Sequence, residues 1–277
     1  TRMSTSARLG ILIALVAIAA GLVSPIAAGT ADAHPVRVPA IPVVYVSGSN
    51  EVPETAAVPA AALRRAGFDT HVFMTWVPSR PETSPYVTVK GNSRRLAAFV
   101  DGVRRKTGAR KVDIVTVSQG GLVTRYWLKE FGGAPSVRRA VILSGMIKGA
   151  GFQADALRNG QCPPAGYENF VPAHLRKNPT DACLEMAMGG AEVTRLNTPT
   201  EALPGISYVN ITTRRDENAT PWQVNLMSGP GTYQNIVLDD HCPRDPLSHY
   251  TLTLLPSIQS GVTRALKGER VRFDCMF

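Results

Sequence analysis

The chain has 277 residues, 44% hydrophobic and 18% charged, with 30 Lys and Arg against 21 Asp and Glu for a formal charge of +9. That is enough apolar material for one sizeable core without a second. The basic residues come as scattered pairs (Arg64-Arg65, Arg94-Arg95, Arg104-Arg105, Arg138-Arg139, Arg214-Arg215) and aromatics make up only 6%. This argues against a nucleic-acid surface, which concentrates its basic and aromatic groups, and suits a solvated basic surface facing anionic envelopes or lipid interfaces.

The N-terminus reads as a secretory signal peptide over residues 1–33. Met3 and Arg8 precede an apolar run from Leu9 to Val23, and Ala31-Asp32-Ala33 gives the small-residue pattern for cleavage after Ala33. The run is shorter than the ~20 residues that span a bilayer comfortably, and no later segment approaches that length. The expected mature chain is therefore exported, free of a transmembrane segment, and a single domain from His34 to Phe277. Export also makes the four cysteines readable, because an even count in an oxidising compartment points to two disulfides. Three connectivities are possible; the local pairings Cys162–Cys183 and Cys242–Cys275 are favoured. No C-x-x-C spacing points to zinc or redox chemistry.

From residue 41 onward, apolar runs alternate with helical patterns. Ile41–Val46 reads as a buried strand, Ala56–Ala66 as a helix, Thr70–Trp76 as a strand, and Asn92–Thr107 as a helix with Leu96, Val100 and Val103 on one face. Val112–Val117 is a strand followed by a helix from about Gln119 to Phe131. Arg139–Leu143, Ile206–Ile211 and Asn235–Leu238 add strands, and a last helix is expected from about Thr251 to Leu266. Near-continuous apolar strands between helices imply an α/β fold whose mostly parallel sheet is covered on both faces. Ligand sites of such sheets lie at the carboxyl ends of the strands. Residues 148–190, rich in Gly, Pro and Asn, read as a cap inserted over that edge.

The stretch VDIVTVSQGGLVTRYWL (112–128) places Ser118 between a β-branched strand and a helix opening on two glycines. This is the context of a nucleophile elbow, G-x-S-x-G, in which a strained serine needs small neighbours two residues before and after. Gly120 meets the second requirement. Thr116 stands where the first glycine is expected. The helix behind Ser118 adds a dipole that favours negative charge at the turn. Acyl transfer also requires donors for a developing oxyanion, one being the N–H of the residue after the nucleophile, here Gln119.

TVSQGGLV with its aromatic-containing helix resembles the elbow of the fungal lipase B type, in which threonine likewise occupies the first-glycine position. The run SQGGLVTRYWLKEFGGAPSVRRAVILSG resembles the secreted class 2 lipases of actinobacteria and bacilli. The order of elements is similar from about Ile41 to Leu266, strongly around the motifs and weakly in the cap. This resemblance implies an α/β-hydrolase fold, carboxylic-ester chemistry without a cofactor, and an ester or lipid substrate met at a lipid interface. It also implies that the missing glycine is tolerated, and that Ser49, in Val46-Ser47-Gly48-Ser49, supplies the second oxyanion donor where relatives carry His-Gly-x or Pro-Gly-Thr.

The remaining partners follow in the order Ser, acid, His. Of five histidines, His241 and His249 lie beyond the last core strand. His249 comes just before the last helix, where similar lipases place their catalytic histidine, and is preferred. His241 reads as a surface residue; its neighbours Asp239, Asp240 and Cys242 are too close in sequence for ready convergence on a metal. The first carboxylate after the Ile206–Ile211 strand is Asp216, followed by Pro221 as in related lipases; Glu217 is the alternative acid. The expectation is thus a secreted serine ester hydrolase, a triacylglycerol lipase by resemblance, with Ser118, Asp216 and His249 as triad. Short-chain ester, polyester or acyl-transfer chemistry on the same triad stays open. So does an inactive, hydrolase-like binding protein, given Ser47, Thr116 and Val117.

Overall fold

The computed structural model describes residues 40–277; the expected signal peptide lies outside them. Six parallel strands run in the order β2-β1-β3-β4-β5-β6, with β1 at Val43–Val46, β2 at Thr70–Phe73, β3 at Val112–Val117, β4 at Val137–Leu143, β5 at Ser207–Thr212 and β6 at Tyr233–Val237. The all-buried run of β3 explains its central place, since a parallel strand covered on both faces needs apolar side chains on both. Its one carboxylate, Asp113, is paired with Arg138 and accepts the Arg139 N–H.

Alternate side chains of the strands feed two cores. Val44, Val46 and Ile114 meet Leu96 and Val100 of α2 (Val89–Thr107) and Leu122 and Tyr126 of α3 (Gln119–Glu130) on one face. Val43, Tyr45, Val115 and Val117 meet Leu63 of α1 (Pro53–Arg65) and Ile258 and Val262 of α7 (Pro256–Lys267) on the other. Chain order reverses at β1, whose neighbours are β2 and β3. The crevice beyond the carboxyl ends of β1 and β3 is therefore the topological switch point, where ligands bind in open parallel sheets.

Three helix starts differ from the sequence expectation, each for a local reason. Helix α2 begins at Val89 rather than Asn92 because the Thr88 side chain accepts the Gly91 N–H as N-cap. Helix α1 starts at Pro53, since proline is suited to the first turn. The last helix starts at Pro256, not near Thr251: the residue before a proline resists the α conformation, and His249–Thr251 forms only a single 3-10 turn.

The segment 148–190 is less irregular than expected. It holds α4 (Gly151–Arg158) and α5 (Asp181–Met186), followed by α6 (Ala191–Asn197). Cys162–Cys183 and Cys242–Cys275 both form disulfides. Tyr167 and Phe170 of this segment pack on Tyr86 and Trp76, tying it to the connection between β2 and α2. Among the described residues no helix is long and apolar enough to cross a membrane.

Candidate active site

Ser118 sits between β3 and α3 at φ 55° and ψ −134°, a left-handed backbone region that costs a non-glycine residue about 1–3 kcal/mol. The turn is held by the Ser118 N–H on Leu143 O and the Gly121 N–H on Ser118 O, both at 2.9 Å. Its close packing explains the glycines. A Cβ on Gly120 would stand 2.5 Å from Ser47 O and 2.6 Å from Thr116 Oγ1, and one on Gly121 2.5 Å from Gly145 O. Thr116 is accommodated because it points into the space that Gly120 leaves. Its hydroxyl is buried there without a hydrogen-bond partner.

Ser118 Oγ lies 3.0 Å from His249 Nε2. The other ring nitrogen, Nδ1, lies 2.9 and 3.0 Å from the two oxygens of Asp216. All three residues are buried. Asp216 Oδ1 also accepts the N–H groups of Asn218 and Ala219 at 3.0 and 2.7 Å. Burial alone would raise the carboxyl pKa. The hydrogen bond to His249, its charge, the Ser144 hydroxyl and the Ala219 N–H outweigh it and hold the group below the ordinary aspartate range. Asp216 is thus an anion fitted to keep Nδ1 protonated and leave Nε2 facing Ser118 as an acceptor.

Glu217 does not reach the imidazole. It accepts the backbone N–H of His249 at 2.9 Å and so fixes the loop rather than the ring. His241 is exposed, with its ring centroid 5.4 Å from that of Phe273. Among the described residues no group of three metal-ligating side chains forms.

Ser118 and His249 open onto a cavity of about 240 Å³, also lined by Gly48, Ser49, Glu51 and Leu254. Ser49 therefore faces the same space as Ser118. Gln119 opens α3, so its N–H is one of those that a helix leaves without an intrahelical acceptor. Its side chain turns to Pro85 O at 2.8 Å and Met186 Sδ at 3.0 Å. Tyr250, edge-on to His249, stands at the rim, where it and Leu254 are exposed. Reading by motif missed Glu51 and Ser144, and took Glu217 for an alternative acid rather than the acceptor of the His249 N–H. Only Glu217 carried a sequence signal, as the neighbour of the chosen acid.

The six-stranded parallel sheet with helices on both faces and a buried serine on the turn after β3 define an α/β-hydrolase fold. Solved structures of that fold match the chain. Lipase B of Aspergillus fumigatus superposes with a TM-score of 0.63 at 18% identity, over 86% of this chain and 55% of that one. The mature lipase BlEst2 of Bacillus licheniformis gives 0.55 at 17%, over 80% and 89%. Est1E of Butyrivibrio proteoclasticus gives 0.53 at 12%, over 83% and 87%. The chain thus spans little more than half the length of the Aspergillus structure. Residues 40–256 match the family model of lipase (class 2), and the chain belongs to that family.

Proposed function

We propose that this protein is an exported serine hydrolase of carboxylic esters, acting on acylglycerols through Ser118, His249 and Asp216. The observation that carries the reading is the continuous chain of contacts from Ser118 Oγ to His249 Nε2 at 3.0 Å and from His249 Nδ1 to Asp216 at 2.9 Å. In this mechanism His249 Nε2 takes the Ser118 proton as Oγ attacks the ester carbonyl carbon. The carbonyl oxygen becomes an oxyanion, held by the N–H groups of Ser49 and Gln119, and the Ser49 hydroxyl is available as a third donor. Collapse expels the alcohol, which takes its proton from the imidazolium, and leaves an acyl-Ser118 ester. Water, deprotonated by His249, attacks that ester and releases the acid. Two disulfides in a chain with this N-terminus support export.

A second reading, preference for short-chain esters, is favoured by the size of the cavity. Its volume of about 240 Å³ falls below the roughly 300–1,000 Å³ typical of pockets that enclose a drug-sized ligand. Hydrolysis of tributyrin, tricaprylin and triolein by the mature chain and its Ser118→Ala variant tests both. Turnover that depends on Ser118 and extends to triolein supports the acylglycerol lipase. Turnover confined to tributyrin supports the short-chain esterase. A folded wild type that cleaves none of them refutes the acylglycerol assignment.

A further inference from the structure

The loop from Ser47 to Glu51, between β1 and α1, is held more tightly than its SGSN sequence suggests. Ser47 Oγ accepts the Thr75 N–H at 3.0 Å, and Thr75 Oγ1 donates to Gly48 O at 2.9 Å. On its other side the Gly48 N–H donates to Glu51 Oε2 at 2.7 Å, while the second carboxylate oxygen accepts Tyr45 O–H at 2.7 Å. Tyr45 is fully buried on β1, so it is a rigid anchor for Glu51. Both polar groups of Gly48 are therefore committed. Gly48 also abuts Ser118: a Cβ added to it would lie 3.2 Å from Ser118 Cβ. Among the described residues the next N–H, that of Ser49, has no hydrogen-bond acceptor, and Ser49 lines the cavity with Ser118 and His249.

We propose that Glu51 is a positioning residue for the oxyanion site: by accepting the Gly48 N–H it fixes the peptide ahead of Ser49 and aims the Ser49 N–H at the carbonyl oxygen of a bound ester. This rests on the ester-hydrolase reading of Ser118. The role requires an acceptor oxygen at that reach and no negative charge. Consistent with that, burial raises the Glu51 pKa, the hydrogen bonds from Tyr45, Gly48 and Thr253 and the charge of His249 opposing it only in part. A donor that binds the oxyanion acts in the transition state, so its misalignment lowers kcat more than it raises KM. Removing one such donor outright costs about 10²- to 10³-fold in kcat, and a misaimed one correspondingly less.

The test compares Glu51→Gln, which keeps the reach and loses the charge, with Glu51→Asp, which keeps the charge and loses the reach. Glu51→Ala is the second variant lacking the contact, so one folded member of that pair suffices. Hydrolysis of p-nitrophenyl butyrate gives kcat and KM, and thermal unfolding checks the fold. The expected result is that Gln retains at least about a third of the wild-type kcat while Asp and Ala lose about 10- to 100-fold with KM within about threefold. Asp or Ala within threefold of wild type, Gln as slow as Asp, or a loss confined to KM would each overturn the proposal while leaving the triad untouched. A folded wild type without turnover would instead remove the ester-hydrolase reading on which the proposal stands.

Discussion

Gly120→Ala tests the elbow most sharply, because the added methyl meets backbone rather than a movable side chain. Its Cβ would lie 2.5 Å from Ser47 O, 2.9 Å from Val46 O and 2.6 Å from Thr116 Oγ1. Two of these atoms belong to β1 and its exit, so relief requires α3 or the Ser47 loop to shift, and either shift moves Ser118 relative to Ser49. Overpacking of this kind costs about 1–3 kcal/mol, which at about 2–4 °C per kcal/mol for a domain of this size lowers Tm by roughly 2–12 °C. A displacement of about 1 Å between reacting groups costs around 10²-fold in rate. The assays are a thermal melt and the second-order rate of fluorophosphonate labelling, on Gly120→Ala and on Thr116→Gly/Gly120→Ala. The double variant should stay slow, since removing the Thr116 side chain leaves both carbonyls in place. Labelling of Gly120→Ala within threefold of wild type with an unchanged Tm would refute the steric argument. Rescue by Thr116→Gly would show that the threonine, not the strand, is the obstacle.

Thr116→Val should be neutral or stabilising by up to about 1 kcal/mol in urea unfolding, because it replaces a buried hydroxyl without a partner by a methyl of the same shape; a loss above 1 kcal/mol would contradict this. Asp216 has a depressed pKa, so its contribution to stability is present above the ordinary aspartate pKa of about 3.9 and lost as pH falls through the lower folded value. The Tm gap between wild type and Asp216→Asn should therefore narrow below about pH 4, and a gap that widens on acidification would refute that sign. The Cys242–Cys275 disulfide closes a separation of 33 residues, and the Met276 N–H beside it donates to Asp245 Oδ1. Replacing both cysteines by serine should cost about 4 kcal/mol by the chain-entropy model; a loss under 1 kcal/mol would show that the tail is held by its other contacts.

The parallel sheet was legible because its inner strands β1 and β3 are Val-rich runs buried along their whole length, and β3 with the turn at Ser118 is where pattern and motif coincide. Helix starts were less legible. Val89-Lys90-Gly91 has no apolar periodicity, and what makes it helical is the Thr88 cap. Thr251 to Leu255 mimics a helical face but cannot join a helix that Pro256 begins. The short helices of the cap segment are held by tertiary contacts. Glu185 of α5, for instance, accepts the N–H groups of Val89 and Lys90 at the start of α2, pairings 96 and 95 residues apart in sequence. The same limit applies at the site. Chain order, together with the resemblance to class 2 lipases, singled out Ser118, Asp216 and His249. The role of Ser144 depends on β4 lying beside β5, and that of Glu51 on β1 lying beside β3. No local signal marks Glu51 as the acceptor for Gly48, because the turn that brings them together is fixed by Tyr45 and Thr75.

In the proposed mechanism Ser118 is a nucleophile activated by His249. Intact-mass analysis of the mature chain after treatment with a fluorophosphonate, beside Ser118→Ala and His249→Ala, tests it most directly. The expected result is one adduct per wild-type chain, mapped to the Ser118 peptide, with no adduct in Ser118→Ala and labelling slowed by at least about 10³-fold in His249→Ala. A folded wild type that stays unlabelled, or an adduct that persists in Ser118→Ala, would contradict it.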